Sequence, residues 1–443
     1  MLNEILLIKF LLLIVLLFFT SCFNDEDKII VSGEEVYFAE KNFLIDKKAF
    51  EEGPNLDKPV NNINWPQKGG NKLHSLSNVI FNFPLKENWS FDTDQDISED
   101  YPFLPQPVSF KDDLFILNSE GVIFCIDKKK GLLKWKKQYF ENEDTLLGNG
   151  SIVYNEFENS LIAHNGKNTI VSININNKKI IWSLKNDLPF RGSITISNSS
   201  VFVNDYEGNL ININNKDGYI IWKRKLGTSQ MSIYSDARPI IGDKIIINPG
   251  PNGLFHILDL KEGNLIHSDF LSKNNDLAIF NNNDIIANPI IYRDLFYLVS
   301  HSGTFASFDK SSFETNWTIP LGSKNTPVIS GGTIFILNNL GSLMAINNIS
   351  GKIRWITKFV VQKKSGFIFE QDNIINYRGP YLVNNKLLIF SGEEELTYIN
   401  PKNGKVEKKE KFNELAASPL FFTNHIIFLF SDGTIARYNS NKF

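Results

Sequence analysis

GVIFCIDKKKGLLKW, residues 121–135, decides the fold because its frame returns along the chain. GNLININNKDGYIIW (208–222) and GSLMAINNISGKIRW (341–355) repeat it. In each, a second Gly follows ten residues after the first, and Trp follows four after that. Gly303 opens a weaker copy, with Phe313 at the second Gly position and Trp317 at the end. Gly253 opens another, with Gly263 in place and His267 where Trp belongs. Further copies run from Asn168 through Lys178 to Trp182 and from Glu394 through Gly404 to Lys408, and a last one begins at Gly433. Self-similarity at a period of about 45 residues marks a repeat architecture.

Each copy reads as strand, tight turn, strand. The turn is polar and carries Gly where a positive φ is wanted. Upstream of each first Gly lies another apolar strand, such as Leu114 to Leu117 or Thr333 to Leu337. Before that comes a short segment, often with Pro: Pro107, Pro239, Pro289, Pro327, Pro380 and Pro419. Four strands per unit make a propeller blade. Runs such as Leu114-Phe115-Ile116-Leu117 are apolar on both faces, which suits a blade sandwiched between neighbours.

The copy at Gly433 reaches its turn near Phe443 and lacks an outer strand. An orphan strand carrying Trp89 stands at residues 86–91. It is expected to complete the last blade and remove the open edges of the array. The expectation is an all-β, eight-bladed β-propeller of four-stranded antiparallel blades over residues 61–443, closed by that N-terminal strand. Trp89, Trp135, Trp182, Trp222, Trp317 and Trp355 then dock neighbouring blades, each burying a large apolar area. An aromatic binding surface is the other reading of the series. His267 and Lys408 mark two weaker seams.

The N-terminus carries a different signal. Lys9 precedes an apolar run from Phe10 to Phe19, followed by Thr20, Ser21 and Cys22. The run is short for a bilayer span, which needs about 20 apolar residues, and has the length of a signal-peptide core. Residues 1–21 therefore read as a lipoprotein signal peptide, and Cys22 as the lipidated residue. An uncleaved membrane anchor is the alternative, and either places the rest outside the cytoplasm. Residues 22–60 read as a lipidated, flexible tether, punctuated by Gly53, Pro54 and Pro59. With Cys22 lipidated, Cys125 has no disulfide partner; its apolar surroundings make it a small core residue rather than a nucleophile.

Composition sets outer limits. Hydrophobic residues make up 42% and charged residues 21%, the balance of a folded globular protein. The net charge is −3 and no basic stripe points to nucleic acid. The six His show no ligand spacing such as HExxH. Asp92, Asp94 and Asp96 alternate as in a Ca²⁺ loop, but Ile97 stands at the loop Gly and Phe103 at the closing Glu. No nucleophile elbow or phosphate loop occurs. No catalytic residue, cofactor or metal site is expected.

The Gly–Gly–Trp spacing over residues 107–443 resembles the repeat of pyrroloquinoline-quinone (PQQ) enzymes. Within that group the chain is similar to the BamB family of outer-membrane barrel-assembly lipoproteins. Three features carry this: the Cys22 lipobox, the segment WPQKGGN (65–71) with His74, and Leu188-Pro189-Phe190-Arg191-Gly192. The last is similar to the family's Leu-x-Leu-Arg-Gly loop, which contacts a periplasmic domain of the BamA insertase. The resemblance thus implies partner binding by Leu188, Phe190 and Arg191, with Asp236 from a second, half-matched loop. It also implies a periplasmic-face, lipid-anchored location at the outer membrane, other assembly-machine subunits as partners, and unfolded outer-membrane proteins as clients. On the residues alone, Arg191 reads equally as an interface anchor or as part of a loop whose Leu and Phe plug the blade core. A PQQ-dependent oxidoreductase and a binding propeller of another envelope complex are the rival functions. The adjacent Cys pair found in many such oxidoreductases is missing.

Overall fold

A computed structural model describes residues 43–74, 78–93, 105–118, 120–140, 150–227, 237–271, 284–301, 303–359, 364–365, 370–371 and 376–440. Eight four-stranded antiparallel sheets follow one another along the chain. Blades 1 to 7 occupy residues 108–138, 151–185, 190–225, 240–270, 290–319, 328–358 and 377–411. Blade 8 takes three strands from 420–439 and its outer strand, β1 (Lys86–Asp92), from the N-terminal side. Trp89 pairs with Arg437 and Asp92 with Thr434, so the ring closes as the sequence foretold.

The local chemistry of the repeat lies in the last turn of each blade. In blade 1 the Asp127 carboxylate accepts from the amides of Lys129 and Lys130, and the Gly131 amide donates to the Asp127 carbonyl at 2.8 Å. Asn347 and Gly351 repeat this in blade 6, and Asp259 and Gly263 in blade 4. The side chain of Asp or Asn starts the turn, and a left-handed residue four places on ends it. Gly131, Gly218 and Gly351 have φ of 72°, 80° and 69°; Lys178 and Phe313 hold the same conformation at 58° and 63°.

Glycine serves a second purpose there. A Cβ on Gly218 would stand 2.7 Å from the Trp182 ring, and one on Gly131 would stand 2.6 Å from Trp89. Trp89, Trp182, Trp222, Trp317 and Trp355 each rest on the turn glycine of the next blade, whereas the blade 2 turn that follows Trp135 carries Lys178. The Trp182, Trp317 and Trp355 indole N–H groups also donate at 3.0 Å to the carbonyls of Asn215, Asn348 and Pro401 in those turns. The tryptophans dock blades. His267 and Phe313, two departures from the repeat, turn out to be one event: they meet at the seam from blade 4 to blade 5, with ring centroids 5.7 Å apart.

The second and third strands are almost wholly buried, as in Asp113–Leu117 and Val122–Asp127, whereas outer strands such as Leu133–Gln138 are mostly exposed. Cys125 is a buried free thiol whose pKa burial pushes up to about 12. No helix among the described residues is long and apolar enough to cross a membrane.

Residues 57–74 and 78–80 form a strap that touches the first strand, or its flanking residues, in every blade. The Trp65 amide donates to the Ser109 carbonyl in blade 1, and the Tyr154 amide in blade 2 to Pro66. Gln67 both donates to and accepts from Ile196 in blade 3. The Ile241 amide reaches Lys72, and His74 Nδ1 lies 2.8 Å from the Pro289 carbonyl beside blade 5. Asp57, Asn78 and Asn62 bond to Ser330, Leu382 and Thr423 in blades 6, 7 and 8. Residues 44–60, which read as tether from their weak patterning, are thus held on the ring. There a short helix, α1 (Lys47–Glu52), lies against the outer strand of blade 6.

Antiparallel alternation sorts the turns onto two faces. Turns joining strands one to two and three to four share one face with much of the strap. Turns joining strands two to three, and the connections between blades, lie on the other.

Candidate functional site

The loop Leu188–Gly192 enters blade 3 on the face away from the strap turns. Asn186 starts it: its side-chain amide donates to the Leu188 carbonyl at 2.9 Å and to the Asp205 carboxylate at 3.2 Å. The Phe190 amide donates to Lys167 of blade 2, and the Tyr206 amide to Pro189. The loop is therefore held from both sides before any partner arrives.

Its side chains divide. Phe190 is fully buried among Val153, Ile162, Ile170 and Trp182, between blades 2 and 3. Its ring centroid lies 5.5 Å from that of His164. The expected partner contact by Phe190 is corrected: this ring plugs the blade core. Leu188 is half-buried and Arg191 is half-buried. Arg191 pairs with Asn204 just before a bulge in the first strand. Successive residues of a strand point to opposite faces, so residues 190 and 191 serve core and surface; the bulge and Gly192, at φ 72°, follow them.

Arg191 borders a cavity of about 40 Å³ between blades 3 and 4, with Asn204, Asp205, Asn248, His256 and Asp284. The walls are tied together. The Asn204 side-chain amide donates to Asn248 Oδ1 at 3.0 Å across the seam. Buried Asp205 accepts from Asn186 and Asn209 and pairs with Lys223 at 3.2 Å. Asp284 accepts from the Asn252 amide at 2.6 Å. Burial lowers the pKa of His256, whose Nδ1 lies 2.8 Å from the Ser268 hydroxyl. A cavity this size holds a water, far below the roughly 300 Å³ of a small-molecule site. Asp236 lies outside the described residues.

Sequence reasoning missed the role of Arg238. It is fully buried, and its guanidinium donates to Gln67 Oε1 at 2.8 Å, to the Asn71 carbonyl at 2.9 Å and to the Lys68 carbonyl. The segment WPQKGGN is thereby locked against the inner strands. The acceptors are a Gln and the backbone carbonyls of Lys68, Asn71 and Ile194, which leave no spacing rule to find.

The family profile of "Outer membrane protein assembly factor BamB" matches residues 119–357, more than half of the chain. The chain belongs to the BamB family. A relative of that name from Yersinia pestis is 19% identical over 373 residues, covering 83% of this chain and 92% of its own. The Escherichia coli (strain K12) relative of the same name is 19% identical, covering 63% and 81%. Among solved structures, BamB from Moraxella catarrhalis superposes with a TM-score of 0.65 at 16% identity, covering 80% of this chain and all of that one. Quinohemoprotein alcohol dehydrogenase from Comamonas testosteroni reaches a TM-score of 0.66 at 9% identity, covering 87% and 82%. That second likeness shows the propeller fold alone.

The inner strands are engaged by the strap through Gln67 and Arg238. Among the described residues, no group of three or more His, Cys, Asp and Glu is placed to hold a metal. A wider depression of about 270 Å³, bordered by Asn118, Phe124, Lys136 and Gln138, involves the third and outer strands of blade 1.

Proposed function

We propose that this protein is a non-catalytic scaffold of the outer-membrane β-barrel assembly machinery, anchored by lipid at Cys22 on the periplasmic face. It binds a BamA-type insertase through the Leu188–Arg191 loop and orients it towards unfolded barrel strands. Membership of the BamB family carries the general reading. The observation that supports the loop is its rigidity: Arg191 stands at a polar, hydrogen-bonded seam beside Leu188, while Phe190 is rooted in the core. A preorganised cation with an apolar neighbour suits an interface anchor, because little ordering entropy remains to be lost on docking. Asp236 and the neighbouring connection complete the surface in this reading.

The test is a titration of the chain lacking residues 1–22 with the periplasmic domains of its own insertase, beside Arg191→Glu. Saturable binding is expected, with the variant roughly thirtyfold weaker, a loss of about 2 kcal/mol. Unchanged affinity in the variant removes Arg191 from the interface. No binding up to about 100 μM, equivalent to roughly −5.5 kcal/mol, removes the insertase as partner. Electron transfer on adding PQQ and Ca²⁺ would instead support an oxidoreductase.

A further inference from the structure

The helix α1 is oriented in an unusual way. A surface helix ordinarily turns its large apolar residues towards the core. Here the ring receives only Ala49, 4% exposed, while Leu44, Ile45 and Phe50 are 85%, 50% and 48% exposed. The helix is not loosely placed. The Asp46 amide donates to the Ile353 carbonyl at 3.0 Å, and Asp46 pairs with Lys352 at 2.9 Å. Arg354 donates to the Ala49 carbonyl at 2.8 Å. The Asp46 carboxylate also caps the helix through the Ala49 amide at 2.8 Å. Leu44 and Ile45, which lead into this pinned helix, and Phe50 within it therefore face outward.

The same side of the molecule carries other apolar tips. Ile349 and Tyr219, in turns between third and outer strands, are 74% and 75% exposed. Phe157, in a turn between first and second strands, is 71% exposed. All three turns lie on one face by the alternation of the blades. Charge of both signs stands among them: Lys47, Lys48 and Lys352 lie beside Glu51, Glu52 and Asp46, and Glu156 and Glu158 flank Phe157. Exposed aliphatic and aromatic side chains among mixed charges form a surface that settles into the headgroup boundary of a phospholipid leaflet.

Covalent connectivity selects the occupant. From Cys22 to Leu44 is 22 residues, which can span at most about 75 Å in any conformation. Among the described residues, the element nearest in sequence to the proposed anchor is α1, with Leu44 and Ile45 before it and Phe50 within it turned out. We infer that α1 and the strap-side turns rest on the phospholipid leaflet into which the Cys22 lipid inserts. The opposite face, with Arg191, is then presented to the periplasm. This rests on the lipid-anchor reading above.

The experiment uses the full-length, lipidated chain in vesicles of phosphatidylethanolamine and phosphatidylglycerol. Cys125 is buried with its thiol pKa pushed up to about 12, so an introduced Cys labels selectively. An environment-sensitive fluorophore is placed at Phe50→Cys, Ile349→Cys or Tyr206→Cys. Tyr206 lies in a turn between second and third strands, on the other face, and is 38% exposed. Flotation with the vesicles tests the lipid anchor by itself. With flotation intact, a blue shift and strong quenching by brominated lipid are expected at positions 50 and 349, and neither at 206. Quenching at 206 alone, at all three positions, or at none overturns the orientation while leaving the anchor standing. Loss of flotation in the unlabelled chain overturns the anchor and the inference with it. A Leu44→Ser, Phe50→Ser variant labelled at Ile349→Cys should show the same unfolding midpoint and several-fold weaker quenching by brominated lipid; unchanged quenching counts against the contact.

Discussion

At the seam from blade 8 to blade 1, Trp89 lies against Gly131 and its indole donates to the Lys128 carbonyl at 3.2 Å. At the seam from blade 4 to blade 5, His267 lies against Phe313, and its Nε2 has no hydrogen-bond partner among the described residues. The first seam uses the repeat's own device and adds to it. Arg437 donates to the same Lys128 carbonyl at 2.8 Å, and the buried Lys128 ammonium reaches the strap at Ile63 and lies 4.5 Å from the Phe422 ring centroid. The second seam substitutes a phenylalanine cluster, with Phe296 stacked on Phe308 at 4.8 Å and Phe255 beside them. The contrast teaches that a Trp–Gly dock is one solution among several for joining blades. It is invested with extra polar contacts where two chain ends must be held.

The contrast breaks most directly at Trp89. Trp89→Ala should lower stability by about 3 kcal/mol, near the low end for a large aromatic because the ring is only half-buried. His267→Ala should cost under about half of that. The midpoints of denaturant unfolding compare the two, and equal losses would refute the distinction between the seams.

Acid should loosen the closure side next. Burial, then the charges of Arg437 and Lys128, hold the pKa of His425 at about 3. In the unfolded chain that imidazole takes up a proton below about 6.5. The unfolded state therefore binds more protons between these values. Stability falls as pH drops from about 6.5 towards 3, by roughly 1.4 kcal/mol per pH unit for this group. Fully buried His74, held well below its ordinary pKa by burial and by Arg238, acts in the same direction. His425→Phe keeps a ring beside Phe422 and should recover about 2 kcal/mol of the loss between pH 6.5 and 5. An unchanged pH slope in that variant would show that His425 is already charged in the fold.

The smallest effect sharpens the comparison by rebuilding the weak seam. His267→Trp with Phe313→Gly should be more stable than the sum of the single changes by about 1–2 kcal/mol, since a Trp needs the missing Cβ. Phe313 also gives up its left-handed strain in the double variant. Strict additivity in a double-mutant cycle would mean that the two residues do not share one contact.

How much of this was legible depends on the kind of contact. The blades could be read because one turn imposes three residue types at fixed spacing: Asp or Asn to start, Gly to turn left-handed, Trp to dock. The ring closure was legible because Trp89 obeyed that rule while standing outside the array. The strap was not, because Gln67, Asn78 and Asn62 bond mostly to backbone carbonyls and amides far away in sequence, and backbone acceptors leave no residue signature. Leu188-Pro189-Phe190-Arg191 was legible as a loop but not as a division of labour. Alternation along a strand would tell which residue faces the core, and the bulge after Arg191 resets it. The outward turn of Leu44 and Phe50 was hidden in a segment too short for periodicity.

The pairing of Lys86 with Asn439 has a consequence in time. The two residues are 439 − 86 = 353 apart in the chain. At about 5–20 residues per second, synthesis takes roughly 20–70 s to cover that interval. Throughout it, Lys86–Asp92 has no sheet to join, and the other strands of its blade are the last to be made. A strand bearing a tryptophan and an unsatisfied backbone edge is a target for wrong partners during that wait. The joint of Lys86–Asp92 with Thr434–Asn439 thus carries the longest sequence separation in the ring, and that strand stays unpaired until its blade is available.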